Sequence, residues 1–134
     1  MAKKNISTFL GGSQTLNSIG SHAYGFSGSL EPNNSTVVGF DFHTSDRGMI
    51  IEMGWTAEFG SLTAGRFISM EVKLNNIVVV KLLGQMTSAN DFPVSFPYVF
   101  SPMLIPPRTN VIITVGTNED AVVAQCVTLT AREI

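Results

Sequence analysis

Along the stretch Met49-Ile50-Ile51-Glu52-Met53-Gly54-Trp55-Thr56-Ala57-Glu58-Phe59 every odd position is apolar, and Glu or Thr fills three of the even ones. A period of two is that of a half-buried β-strand; a helix would show 3.6. Residues 67–74 follow the same rule, with Ile68, Met70, Val72 and Leu74 opposed by Ser69, Glu71 and Lys73. Val38, Phe40 and Phe42 face away from Asp41 and His43, Val94, Phe96, Tyr98 and Phe100 share a face, and so do Val111, Ile113 and Val115.

Turn chemistry separates these runs. Asn75-Asn76 leaves a two-residue gap between strands, suited to a tight hairpin because Asn tolerates positive φ. Glu31-Pro32-Asn33-Asn34, Ser45-Asp46-Arg47-Gly48, Ser88-Ala89-Asn90-Asp91 and Gly116-Thr117-Asn118-Glu119 mark further breaks, and Ile105-Pro106-Pro107-Arg108 reads as stiff and extended. Pro93 and Pro97 place the 94–101 strand at a sheet edge, since proline donates nothing to an interior ladder.

The pattern predicts eight strands, at about 22–30, 36–43, 49–59, 66–74, 77–84, 94–101, 110–116 and 121–131, and no helical stripe. Many short strands with frequent turns imply an all-β fold: an eight-stranded antiparallel β-sandwich, jelly-roll-like, across residues 21–134. An immunoglobulin-type sandwich is the alternative, without its characteristic cysteine pair.

Two features depart from a simple sandwich. In 77–83 and 121–131 both strand faces are apolar or small, with Ile77 and Val79 opposite Val78 and Val80, and Val122, Ala124 and Cys126 opposite Val123, Val127 and Leu129. A two-layer sandwich needs one apolar face per strand, so Ile77, Val79, Val122 and Ala124 are expected at an interface. Residues 1–20 form an extended arm rich in Ser, Thr, Asn and Gly. They are too polar for a core of their own. The arm is expected to lie on its own sandwich or, preferentially, to reach a neighbouring subunit, anchored by Ile6, Phe9 and Leu10.

Composition sharpens this reading. Charged residues make up 13% of the 134-residue chain, where about a quarter is usual. Such a surface resists association poorly, so part of it is expected to be covered. A net charge of −2 and scattered basic residues give no reason to expect nucleic acid or an anionic membrane. No apolar run has the roughly 18 residues needed to span a bilayer. The start Met1-Ala2-Lys3-Lys4 leads into a stretch too polar for a signal peptide, and the lone Cys126, expected as a small buried hydrophobe, suits synthesis in a cytoplasm.

Chemistry-bearing patterns are sparse. Gly25-Phe26-Ser27-Gly28-Ser29 lacks the closing glycine of a nucleophile elbow. Asp41 and His43 offer half a metal site with no third ligand in view. Glu52 and Glu58 lie roughly 20 Å apart along one strand, beyond the about 5–10 Å of a glycosidase pair, whereas Glu52 and Glu71 are free to meet across strands. The chain is read as non-enzymatic, with no catalytic residue, cofactor or metal. Trp55 reads as core, with Tyr24, Trp55 and Tyr98 as stacking platforms should the protein be a glycan- or receptor-binding head module.

The hairpin Met70-Glu71-Val72-Lys73-Leu74-Asn75-Asn76-Ile77-Val78-Val79-Val80 and the strand entry Ile105-Pro106-Pro107-Arg108-Thr109-Asn110-Val111-Ile112-Ile113-Thr114-Val115, within this sandwich-plus-arm layout, resemble the small single-jelly-roll structural proteins of virus particles. Bacteriophage capsid decoration (cement) and minor head proteins are similar in size. The resemblance implies a non-enzymatic virion protein made in the host cytoplasm. It further implies a homo-oligomer, a trimer above all, seated on a major capsid or other virion protein with an arm that clamps a neighbour.

Overall fold

The computed structural model describes residues 7–9, 17–19, 21–59, 66–85 and 94–134. Within them lie eight principal strands: β3 (His22–Phe26), β4 (Ser35–Thr44), β5 (Met49–Phe59), β6 (Phe67–Leu74), β7 (Ile77–Gln85), β8 (Val94–Val99), β10 (Asn110–Thr117) and β11 (Ala124–Glu133). Three short strands join them, β1 (Ser7–Phe9), β2 (Asn17–Ile19) and β9 (Met103–Ile105). One sheet has the order β1-β4-β10-β6-β7 and the other β2-β3-β11-β5-β8, with β9 also on β5. Every pairing is antiparallel. Successive long strands alternate between the sheets except at the β6–β7 hairpin, so the sandwich is a jelly roll.

The core sits between the two inner faces. Phe40, Phe42, Met70 and Ile113 from the first sheet meet Trp55 and Leu129 from the second, all buried. One polar bridge crosses this apolar layer. The Trp55 indole N–H donates to Gln125 Oε1 at 2.9 Å, and Gln125 Nε2 donates to the Gly116 carbonyl of the opposite sheet at 2.9 Å. Buried polar groups need such partners, and this chain satisfies two strands and two sheets with one side chain.

Local chemistry explains the turns. Asn75 and Asn76 adopt φ of 51° and 66°, the left-handed conformation required at both centres of a type I′ hairpin. β8 lies at the outer edge of its sheet, where Pro97 removes no interior ladder bond. Gly48, at the entry to β5, lets β9 close: a Cβ there would sit 2.8 Å from the Ile105 carbonyl oxygen.

Several expectations need correction. Val38 does not share the inner face with Phe40 and Phe42, because the β4–β10 register shifts between Ile113 and Thr114, which inserts Gly39 into β4 and leaves Val38 exposed. A bulge of this kind inserts one residue and ends the strict alternation. The 105–108 segment is not uniformly extended: Ile105 ends β9, and Arg108 turns with φ 53°. Cys126 is on the outer face of its sheet, half-buried, with its sulfur 2.7 Å from Thr56 Oγ1. Glu52 and Glu71 occupy different sheets and do not meet. Within the chain, β1 pairs with β4 and β2 with β3.

Candidate functional site

Two surfaces stand out. The first is β7, the last strand of its sheet. Its Ile77, Val78, Val79 and Leu83 are 68, 47, 45 and 58% exposed. The sequence left this strand apolar on both sides, and among the described residues it ends its sheet with these side chains exposed. The β6–β7 register shifts between Val72 and Lys73, so Val79 is an extra residue without a cross-strand partner. Lys81 is its single charge, and it is engaged by Glu71 at 3.7 Å, with Lys73 on the same carboxylate at 3.5 Å. A bulge and a lysine are devices that discourage strand addition at an edge. They leave the apolar side chains uncovered.

The second surface is the outer face of the other sheet. Cross-strand register sets His22, Arg132, Ile50 and Leu104 in one row and Tyr24, Thr130 and Glu52 in the next. A third row holds Phe26, Thr128, Gly54 and Val99. Between the first two rows lies an open recess of about 190 Å³ lined by His22, Ile50, Glu52, Thr130, Ala131 and Arg132. Tyr24 and Phe26, 51 and 59% exposed, stand beside it on β3.

No protein-family model and no curated protein sequence matches the chain. The functional reading therefore rests on these surfaces and on where the fold puts each singled-out residue.

Ile77 and Val79 are exposed on β7. Val122 is exposed too, but it precedes β11, and Ala124, which opens that strand, is half-buried. These two pairs are not brought together. Ile77 opposes Leu74, which opposes Val111 near the start of β10, whereas Val122 follows the end of β10 and its neighbour Val123 donates its N–H to the Pro32 carbonyl. The apparent two-sidedness of 121–131 resolves into a buried row, Val123, Gln125, Val127, Leu129, Ala131 and Glu133, and an outer row that turns polar from Thr128 onward.

Ile6 and Leu10 lie outside the described residues. Phe9 closes β1, opposite Phe42 in backbone register. Trp55 is fully buried with its indole N–H bonded, so it presents no ring to a ligand. Tyr98 opposes Trp55 in β8, and its side chain is outside the described part. Of the two aromatic candidates whose side chains are described, Tyr24 is the exposed one. Phe26, Glu52, Thr130 and Arg132 join it without having been singled out as a group; only a correct pairing of β3 with β11 and β5 reveals them as neighbours.

The candidate catalytic groups are dispersed. Ser27 is buried, its hydroxyl donating to the Gly28 carbonyl at 2.8 Å and accepting from the Val127 N–H at 2.8 Å. Asp41 accepts from Asn110 Nδ2 at 3.0 Å. His22 and His43 belong to different sheets. Among the described residues no group of three His, Cys, Asp or Glu side chains is placed to hold a metal ion, and no helix is long and apolar enough to cross a membrane.

Proposed function

We propose that the chain is a non-enzymatic structural subunit of a bacteriophage particle, a decoration-type protein that stabilises the shell by covering surface between capsid subunits. The observation that carries this reading is β7, an edge strand with four large aliphatic side chains 45–68% exposed. Full burial of such a side chain is worth about 1.5–3 kcal/mol. Covering part of each in four residues therefore supplies a useful contact, and a shell repeats it many times, so modest single-site affinity suffices. The low charge content favours the same role. The expected assembly is a homo-oligomer, with a trimer preferred, seated on a major capsid or other virion protein.

The test uses the variants Val79→Glu and Leu83→Glu on β7. Both positions are exposed, so the thermal midpoint should stay within a few degrees of wild type. Native mass measurement should show the oligomer reduced to monomer, and occupancy on purified particles should fall. Wild-type oligomer mass and wild-type occupancy in both variants would reject the proposal. The arm is separable from this surface: deletion of residues 1–12 removes β1 and its pairing with β4, and is expected to leave β7-dependent association in place.

A further inference from the structure

We propose that the outer face of the β3–β11–β5 sheet binds a neutral saccharide, with one ring seated in the recess beside Tyr24. The recess has the size for it. Its volume of about 190 Å³ equals roughly six waters at about 30 Å³ each. It is smaller than the roughly 300–1,000 Å³ of pockets that enclose a drug-sized ligand. One sugar ring fits that space with its remaining substituents in solvent.

The lining chemistry selects the ligand class. Glu52 offers carboxylate acceptors, Arg132 a fork of donors, and Thr130 a hydroxyl that does both. Among the described residues neither Glu52 nor Arg132 forms a salt bridge, and no hydrogen bond engages the head group of either. A ligand dense in hydroxyl groups satisfies donors and acceptors together. An anion would be attracted by Arg132 but repelled by Glu52, and an aliphatic ligand would leave both heads desolvated and unpaired. The balance of one cation and one anion across the recess favours a neutral partner.

The aromatic flank supplies the rest. Tyr24 opposes Thr130 in register, which puts its Cβ about 4.5–5.5 Å from that of a recess-lining residue. Phe26 follows on the same side of β3. An aromatic ring offers a flat apolar face to the C–H side of a pyranose while the hydroxyl rim meets the polar heads. A strip of two exposed rings beside a recess with a free donor and a free acceptor is the combination that a sugar uses in full.

The experiment is amide chemical-shift mapping of the full chain titrated with methyl glycosides of glucose, galactose, mannose and N-acetylglucosamine, and in parallel with methyl glucuronide and inorganic sulfate. Trp55 fluorescence is a poor reporter because that ring is buried. At least one neutral glycoside should shift amides within residues 22–26, 50–54 and 128–132. Tyr24→Ala and Arg132→Ala should each weaken it by roughly tenfold or more, and Glu52→Gln should weaken it while leaving spectral dispersion intact. No shifts with any neutral glycoside overturn the proposal. So does binding that survives both Tyr24→Ala and Arg132→Ala, or binding of glucuronide or sulfate tighter than of every neutral sugar. The Val79→Glu and Leu83→Glu variants should bind sugar normally, which separates this site from the proposed assembly surface.

Discussion

β7 and β11 look alike in the sequence: each is a short strand with apolar or small residues on both faces. In the fold they are opposites. β11 lies between β3 and β5 and sends Val127 and Leu129 into the core. β7 has β6 on one side and, in the sheet order, no strand on the other. The same composition therefore means completion of a core in one strand and an exposed apolar surface in the other. Neighbour count, which periodicity does not report, decides which.

The sharpest way to break this comparison is to make one substitution in both strands. Leu129→Ala in β11 should cost about 2–5 kcal/mol, since a fully buried leucine leaves a cavity. Leu83→Ala in β7 should cost less than about 0.5 kcal/mol. Urea denaturation of both variants measures the difference, and equal losses would show that β7 is packed as a core strand. Gln125→Leu comes next. It removes the acceptor of the Trp55 N–H and one donor of the Gly116 carbonyl, which still faces Ser69 in the ladder, at a cost of roughly 1–3 kcal/mol for the buried indole donor that loses its bond. Adding Trp55→Phe should recover the indole's share, which a double-mutant cycle would register.

Smaller effects belong to the β6–β7 hairpin. Asn76→Ala places an alanine at φ 66° and should destabilise the hairpin by about 1–2 kcal/mol, whereas Asn76→Gly should be neutral or slightly stabilising. Smallest of all is Glu71→Gln, which releases Lys73 and Lys81 from a shared carboxylate. Partly exposed pairs of this kind contribute about 0.2–1 kcal/mol. The loss should shrink further in high salt, and a salt-independent loss would assign Glu71 a packing role instead.

Much of the architecture was legible in the sequence because inside–outside alternation is a local signal. The residues 49–59 were read as a strand and are β5, and Asn75-Asn76 marked the β6–β7 hairpin. The proline-bearing strand was assigned to an edge and is β8. What failed was non-local. Nothing in residues 36–43 announces that Gly39 is bulged against β10 and that Val38 turns outward. The short β9 was missed because Met103-Leu104-Ile105 is too brief to show a period. Cys126 was set opposite Val127 by its strand alternation and expected to be buried there; it is on that outer face, half-buried. The recess escaped for the same reason as the bulge. His22, Glu52 and Arg132 are distant in sequence and become neighbours through pairings of β11 with β3 and β5.

The central position of β11 also has a consequence for the order of events during synthesis. β3 and β5 leave the ribosome early, yet each must pair with a strand made last in this chain, as Phe26 does with Thr128 and Trp55 with Val127. Until then the second sheet is two separated pieces with a strand-wide slot between them, and the indole of Trp55 lacks Gln125. Long-range pairing of this kind folds slowly, in milliseconds to seconds for all-β domains, and open strand edges are sticky while they wait. A chain stopped before residue 124 should therefore aggregate, and the ten residues of β11 act as the latch that closes the second sheet.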